Sequence, residues 1–187
     1  MKTTVLLLLL TTFLLSSCDI LMSNKSSEPE KSWEEKLNTE LHLLGHRNWI
    51  LVVDKAFPLQ TAPGIEVINT GQSLQDVLQF TLQKIDRSLH VKPIIYTDKE
   101  LEYITPAMVP YIENYKKQLQ KNLKDIVPMT MLHDSVFVKI DKASRLFKVV
   151  VLKTEEVIPY SSVFIELDCR YWSAEKEREL RELMMKK

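Results

Sequence analysis

Residues 44–58 read LGHRNWILVVDKAFP, in which a glycine, a polar segment, an apolar run and an aspartate follow one another. The run Trp49–Val53 is continuous, long enough for a buried strand and too short for a helix. His46 follows Gly45, a residue typical of helix ends, and Asp54 comes directly after the run. The pattern therefore predicts a buried strand with an ionisable residue near each end.

The segments on both sides of this run alternate between helical and extended patterns. Apolar residues at helical spacing, behind capping residues, predict helices that begin at Ser32, Ser73, Thr105 and Asp134. Short apolar runs predict five further strands: Ile65–Ile68, Pro93–Thr97, Ile126–Met131, Leu146–Leu152 and Ser162–Leu167. Because strands and helices alternate over short connections, we predict a single layered α/β domain with a mostly parallel central sheet covered by helices.

The first 17 residues have the features of an export signal. A positive start, an apolar run from Val5 to Leu15 and two small serines precede Cys18. The run is shorter than the roughly 20 apolar residues that span a bilayer, which indicates a cleaved signal. The order resembles the lipobox of bacterial lipoproteins, so we predict a lipid on Cys18 and a place in the bacterial cell envelope, on the periplasmic side or at the outer membrane. An ordinary secretory signal or an uncleaved anchor is the alternative.

Composition divides the rest of the chain into three parts. Residues 18–31 are polar and rich in serine, glutamate and lysine, which predicts a flexible tether between lipid and domain. Residues 32–172 carry the alternating strands and helices and form the predicted domain. Residues 173–187 predict a charged helix with a few apolar side chains on one side.

Charge and residue counts exclude several functional classes. The 25 basic and 25 acidic residues give a formal net charge of zero, so we expect no nucleic-acid partner. Three glycines are too few for the Gly-rich phosphate loop of an NTPase or a dinucleotide-binding dehydrogenase. Cys18 and Cys169 are the two cysteines, and with Cys18 committed to lipid no intrachain disulfide is expected. His42 and His46 are four residues apart but lack a third ligand, so we predict no metal site.

Asp54 has the position at which ligands collect in parallel sheets, because functional loops follow the carboxyl ends of the strands. An imidazole moves protons near neutral pH, and a nearby carboxylate binds a hydroxyl or tunes that imidazole. His46 and Asp54 are therefore candidate functional residues. From the residues alone, a surface histidine and a turn-capping aspartate are the alternative.

Residues 44–58 are similar to the opening of the D-ribose pyranase and L-fucose mutarotase (RbsD/FucU) family. In that family a Gly-His pair, a short polar pair and an apolar strand precede Asp-Ala-x-Phe/Leu-Pro, and the eight-residue step from His46 to Asp54 matches. Residues 63–79 and 141–152 add to the likeness, and Tyr160 begins a segment similar to the family's closing Tyr-x-Asn-strand element. The resemblance runs from about residue 37 to residue 170.

This resemblance implies a sugar isomerase that interconverts pyranose with furanose forms, or one anomer with the other, and uses no metal or organic cofactor. It implies that His46 donates a proton, that Asp54 binds the hydroxyls of a monosaccharide and that Tyr160 lines the site, so these three are the predicted catalytic residues. The predicted substrate-binding residues are Asp54, His133, Tyr160 and Ser162. The resemblance also implies ring-shaped, often decameric, homo-oligomers with sites at subunit contacts.

The sequence departs from the family pattern at several site positions. Ser162 stands where the family has an asparagine, and Lys55 replaces a small alanine. Val136 is apolar where a sugar-binding histidine or arginine is expected, and His133 lies three residues earlier. These departures favour a second hypothesis, a monosaccharide-binding lipoprotein without turnover. A third hypothesis is a purely structural component of the envelope.

Overall fold

The computed structural model describes residues 30–186, so the predicted export signal, Cys18 and most of the tether lie outside the described residues. The helices are α1 Trp33–Leu41, α2 Leu74–Arg87, α3 Ile112–Leu123, α4 His133–Ser144 and α5 Ala174–Met185. The strands are β1 Trp49–Val53, β2 Ile65–Asn69, β3 Val91–Asp98, β4 Met129–Met131, β5 Val149–Lys153 and β6 Val163–Cys169. A 3₁₀ helix, Lys99–Tyr103, follows β3.

The six strands form one sheet in the order β2-β5-β1-β6-β3-β4. Five strands run in the same direction and β6 runs against them, which confirms the predicted mostly parallel sheet and adds one antiparallel strand. The short connection from Lys153 to Val163 gives the reason. A parallel strand needs a crossover of about a dozen or more residues, usually a helix, and this connection has no helix.

Helices cover both faces of the sheet, as predicted. Every residue of β1 is buried, and its side chains alternate between two apolar clusters. Ile50 and Val52 pack in the cluster that includes residues of α1, α2 and α3, whereas Leu51 and Val53 pack in the cluster that includes residues of α4. This two-sided burial is why the strand reads as a continuous apolar run.

Two predicted helix starts were wrong. The turn at Thr105 accepts hydrogen bonds from the backbone N–H groups of Met108 and Val109, but α3 begins only at Ile112. Pro110 explains the delay, because proline lacks the N–H that a helix interior needs and disfavours helical backbone in the residue before it. Asp134, predicted as the cap of α4, lies inside its first turn instead.

α5 lies apart from the apolar core. Ser173 caps its start, as its side chain accepts a hydrogen bond from the backbone of Lys176, but none of the described side chains of α5 is buried. Glu177 bonds Arg181 and the indole of Trp172 on the exposed surface. None of the helices in the described part of the chain has the length and hydropathy needed to cross a bilayer.

Candidate functional site

Four segments meet at one edge of the sheet. β1 and β3 run in the same direction, so Asp54, which follows β1, and Asp98, the last residue of β3, share this edge. β6 runs in the opposite direction, which places Tyr160 and Ser162, just before its start, at the same edge. α4 begins there with His133, directly after β4, which is parallel to β3. The topology therefore brings together four of the five predicted site residues and adds Asp98.

The Asp54 carboxylate is held from two sides. The Ser162 hydroxyl donates to Asp54 Oδ2 at 2.7 Å and also accepts the backbone N–H of Asp54 at 3.1 Å. The backbone N–H of Ala56 donates to Oδ1 at 2.9 Å. Ser162 is fully buried, and its hydroxyl hydrogen is directed to Asp54. The structure thus gives Ser162 the task of fixing Asp54, whereas the sequence predicted that it binds the sugar directly.

The His133 imidazole contacts a buried carboxyl group, that of Asp98. Its Nδ1 lies 3.0 Å from Oδ2 of Asp98, which is fully buried, while about a third of the His133 side chain is exposed. The backbone N–H of His133 donates to both carboxylate oxygens of Glu100, at 3.1 Å each. Glu100 thereby satisfies the first free N–H of α4 in place of a side-chain cap. The imidazole is consequently fixed at the helix start with one edge toward solvent.

Burial raises the pKa of the Asp98 carboxyl to about 6. The hydrogen bond and charge of His133 act in the opposite direction, whereas the negative charges of Glu100 and Asp54 add to the rise. Oδ1 of Asp98 is buried and has no hydrogen-bond partner among residues 30–186. This carboxyl therefore titrates near the pH range in which an imidazole also exchanges its proton.

Aromatic rings surround the imidazole. The ring of Tyr160 meets that of His133 edge to face, with centroids 5.2 Å apart, and the ring of Phe137 does the same at 4.9 Å. Phe57 stacks on Phe137 at 5.2 Å and also contacts the ring of Phe164. Apolar walls around a few convergent polar groups are typical of small-molecule sites.

The segment that carries Tyr160 is held in place by a hydrogen bond from α3. Tyr160 has a φ of 57°, in the left-handed region that bulky residues seldom adopt. The buried hydroxyl of Tyr115, on α3, donates to the backbone carbonyl of Ser161. Burial raises the pKa of Tyr115 well above its ordinary value, and the charges of Glu156, Asp54 and Asp98 act in the same direction. Tyr115 therefore stays protonated and keeps this hydrogen bond.

His46 lies at the opposite end of β1. Its Nε2 is 3.8 Å from Oδ1 of Asp168, near the end of β6, and the neighbouring Arg47 N–H donates to the carbonyl of Leu167. Five strand residues separate this end from Asp54, which at roughly 3.3 Å per residue is about 17 Å. Proton transfer requires contact within about 3 Å, so His46 and Asp54 of one chain do not serve the same substrate molecule.

Asp98 and Glu100 were not predicted as site residues from the sequence. Asp98 ends an apolar strand, as Asp54 follows one, so the local pattern was available. Residues 30–186 contain no group of three or more His, Cys, Asp or Glu side chains arranged to hold a metal ion. A cavity of about 550 Å³ lies between the C-terminal parts of α2 and α3, away from the strand-end residues. We place the candidate site at the strand ends, because the imidazole, the carboxylates and the aromatic wall converge there.

Comparison with known proteins identifies the fold. The sequence matches no protein-family model and no curated protein. Among solved structures, RbsD of Bacillus subtilis, complexed with D-ribose, superposes with a TM-score of 0.51 and 15% identity, over 74% of this chain and 95% of that chain. The chain has the RbsD fold. This result confirms the predicted fold class.

Two further solved structures match with lower TM-scores than RbsD of Bacillus subtilis. FucU of Bifidobacterium longum has a TM-score of 0.47 and 16% identity, over 70% of this chain and 91% of that chain. The fucose mutarotase of Streptococcus pneumoniae, in complex with L-fucose, has a TM-score of 0.47 and 14% identity, over 74% of this chain and 96% of that chain.

Proposed function

We propose that the protein is a sugar ring isomerase, a pyranase or mutarotase, that opens and recloses the ring of a monosaccharide. One observation carries the proposal: an accessible imidazole, His133, lies on a buried carboxyl beside a second carboxylate, Asp54, at the carboxyl ends of parallel strands. The RbsD fold supports it, since the Bacillus subtilis protein of this fold is complexed with D-ribose.

The groups at this edge suit the chemistry of ring opening. A base takes the proton of the anomeric hydroxyl while an acid protonates the ring oxygen, and the bond between the anomeric carbon and that oxygen breaks. The open aldehyde recloses when a hydroxyl adds to it, and both protons return, so no co-reactant is consumed. The charged Asp54 would accept hydrogen bonds from sugar hydroxyls that are roughly twice as strong as neutral ones. His133 would exchange a proton with the sugar.

We propose that His46 acts on a sugar bound by a second copy of the chain. Because His46 and Asp54 of one chain lie at opposite ends of β1, His46 would reach a sugar on Asp54 only from a neighbouring subunit. We therefore propose a closed homo-oligomer, ring-shaped as the resemblance implies, in which the His46 end of one copy faces the Asp54 end of the next. Such a head-to-tail contact repeats identically around a ring.

A sugar-binding protein without turnover is the second candidate. The family's asparagine would offer an amide to the sugar, but Ser162 is buried and its hydroxyl hydrogen goes to Asp54. The site therefore lacks a donor that the family's asparagine would offer to the sugar, and this departure from the family pattern favours the second candidate. The two candidates differ in whether ring forms exchange faster in the presence of the protein.

The test uses the purified full-length protein with D-ribose, L-fucose or D-galactose. We expect saturation-transfer NMR to detect exchange between ring forms above the buffer rate for at least one sugar. Asp54→Asn should weaken sugar binding, whereas Asp141→Asn, which removes an exposed carboxylate paired with Arg145, should leave it unchanged. Binding that depends on Asp54 without exchange would establish the binder instead. Absence of both would leave a structural envelope component.

We also propose that the protein is a lipoprotein of the bacterial envelope, on the pattern before Cys18. Wild-type protein should sediment with membranes and carry acyl chains on Cys18, detected by mass spectrometry of the N-terminal peptide. Cys18→Ala removes the thiol to which the lipid is attached, so it should yield unprocessed precursor without lipid. A mature wild-type chain found in the soluble fraction without lipid mass would contradict this assignment.

A further inference from the structure

We propose that Asp98 is a positioning residue: it keeps the proton of His133 on Nδ1, so that Nε2 faces the substrate as the proton acceptor. The inference rests on the proposed isomerase function and assigns a task to a residue that the sequence pattern did not indicate. The geometry that carries it is the 3.0 Å contact between His133 Nδ1 and Oδ2 of the fully buried Asp98.

Asp98 is a poor choice for a purely structural task. Among residues 30–186, the His133 imidazole is the one hydrogen-bond partner of its side chain, and Oδ1 has none. A buried carboxylate with an unsatisfied oxygen is costly, and a neutral amide or hydroxyl would fill the same position at lower cost. A carboxylate has one advantage here over these neutral groups: when ionised it only accepts hydrogen bonds, so it selects a protonated Nδ1.

The two aspartates at this edge have different environments. Both carboxylate oxygens of Asp54 accept hydrogen bonds, from Ser162 and from the backbone of Ala56, and Asp54 is partly exposed. Asp98 is buried, touches the imidazole and leaves one oxygen unpaired. Neighbouring titratable groups in contrasting environments commonly divide their tasks, one toward substrate and one toward proton control. Asp54 thus fits direct sugar contact, and Asp98 fits action through His133.

The imidazole has little freedom to turn away from Asp98. Glu100 holds the backbone N–H of His133, and the rings of Phe137 and Tyr160 meet the imidazole edge to face. Since Nδ1 is engaged by Asp98, Nε2 is the nitrogen left for a substrate. A flipped ring would place the carbon Cδ2 against the carboxylate and lose the present hydrogen bond.

Two negative charges act on Asp98 from outside the pair. The negative charges of Glu100, on the 3₁₀ helix, and Asp54, after β1, raise the pKa of Asp98. The charge of Asp98 in turn raises the pKa of the Tyr115 hydroxyl on α3. Glu156, after β5, acts on Tyr115 together with both aspartates. The hydrogen bond and charge of His133 are the effects that favour the charged form of Asp98. The protonation of Asp98 is therefore coupled to that of His133.

The direct test is the tautomer of His133, read from ¹⁵N NMR of histidine-labelled full-length protein at a pH where the imidazole is neutral. The His133 signals are assigned by their loss in His133→Gln. We expect Nδ1 protonated in the wild type and a shift toward Nε2 protonation in Asp98→Asn, while Asp98→Glu retains the wild-type tautomer. A wild-type imidazole protonated on Nε2 would overturn the proposal, whether or not any sugar is turned over.

The kinetic test separates positioning from binding. In Asp98→Asn we expect kcat for ring exchange to fall roughly 10²–10⁴-fold with little change in KM, since the base but not the pocket is affected. The wild-type rate should fall on acidification, and the midpoint of this limb should move to lower pH in Asp98→Asn, because the imidazole loses the carboxylate that favours its protonated form. Asp98→Glu should recover part of the rate. An unchanged kcat and pH profile in Asp98→Asn would overturn the proposal, and absence of exchange in the wild type would instead overturn the isomerase.

The stability of the Asp98→Asn variant is measured together with its activity. Burial raises the pKa of Asp98, so ionisation of this carboxyl lowers the stability of the fold as the pH rises through about 6. Asp98→Asn should therefore raise the unfolding midpoint more at about pH 8 than at about pH 5. Glu166→Gln is the matched control: Glu166 accepts from the Tyr96 hydroxyl and pairs with Lys139, away from the site. It should change stability and leave the pH profile of exchange intact.

Discussion

Co-expression of His46→Ala and Asp54→Asn chains is expected to restore ring exchange that neither variant has alone. In the proposed ring, each site takes His46 from one copy and Asp54 from the next, because the two residues lie at opposite ends of β1 in a single chain. Random assembly of equal amounts would leave about a quarter of the sites with both native residues. Saturation-transfer NMR of oligomers purified through two different tags measures the recovered rate.

A control mixture separates this effect from partial activity of a variant. His46→Ala co-expressed with the double variant, His46→Ala and Asp54→Asn, contains no native His46, so it should remain inactive. Full exchange by His46→Ala alone would remove His46 from the mechanism. Mixed oligomers that form but stay inactive would contradict a site shared between copies.

Gly64→Ala is expected to destabilise the domain by about 3 kcal/mol or more, the range of severe core defects. A Cβ at Gly64 would overlap the backbone carbonyl oxygen of Ser144 and crowd that of Phe147. Both obstacles are backbone atoms, and the Gly64 carbonyl itself accepts the N–H of Val149, so the segment has little room to shift. Urea unfolding of the full-length protein, followed by tryptophan fluorescence, measures the change.

Gly45→Ala is the matched control for this glycine. No atom lies within 4 Å of a Cβ placed at Gly45, and its φ is not in the left-handed region. Alanine there should change stability by no more than about 1 kcal/mol, and a small gain is expected from the stiffer unfolded chain. Equal effects of the two substitutions would mean that Gly64 does not sit against the end of α4 as described.

The sequence predicted those elements that have a strong local signal. The bounds of β1 were predicted without error, because a five-residue run that is buried on both faces is apolar throughout. The predicted start of α3 was wrong. Thr105 and the proline after it are a typical helix start, but Pro110 interrupts the helix, so α3 begins only at Ile112. The antiparallel direction of β6 follows from the short connection that precedes it. It was not predicted, because the hydrophobic periodicity of a sequence indicates the type of an element and not its direction.

The site was predicted in part for a different reason. Asp54 could be found because a motif surrounds it, and His133 and Tyr160 were proposed by resemblance. Asp98 was not predicted because an aspartate at a strand end becomes a candidate site residue only when it lies beside His133. The strand order brings the two together, and that order is set by pairings between segments distant in sequence. The separation of His46 from Asp54, in contrast, follows from the length of β1 alone.

The position of β6 also bears on how the chain folds. β1 lies between β5 and β6, and β3 lies between β6 and β4, so β1 and β3 stay unjoined until Val163–Cys169 is available. Contacts between such distant segments slow folding, and strands with unpaired edges invite association with other chains. During synthesis, the centre of the sheet therefore forms only after Val163–Cys169 has emerged from the ribosome. We expect chains shortened before Val163 to aggregate, while chains that end just after Cys169 contain every strand of the sheet.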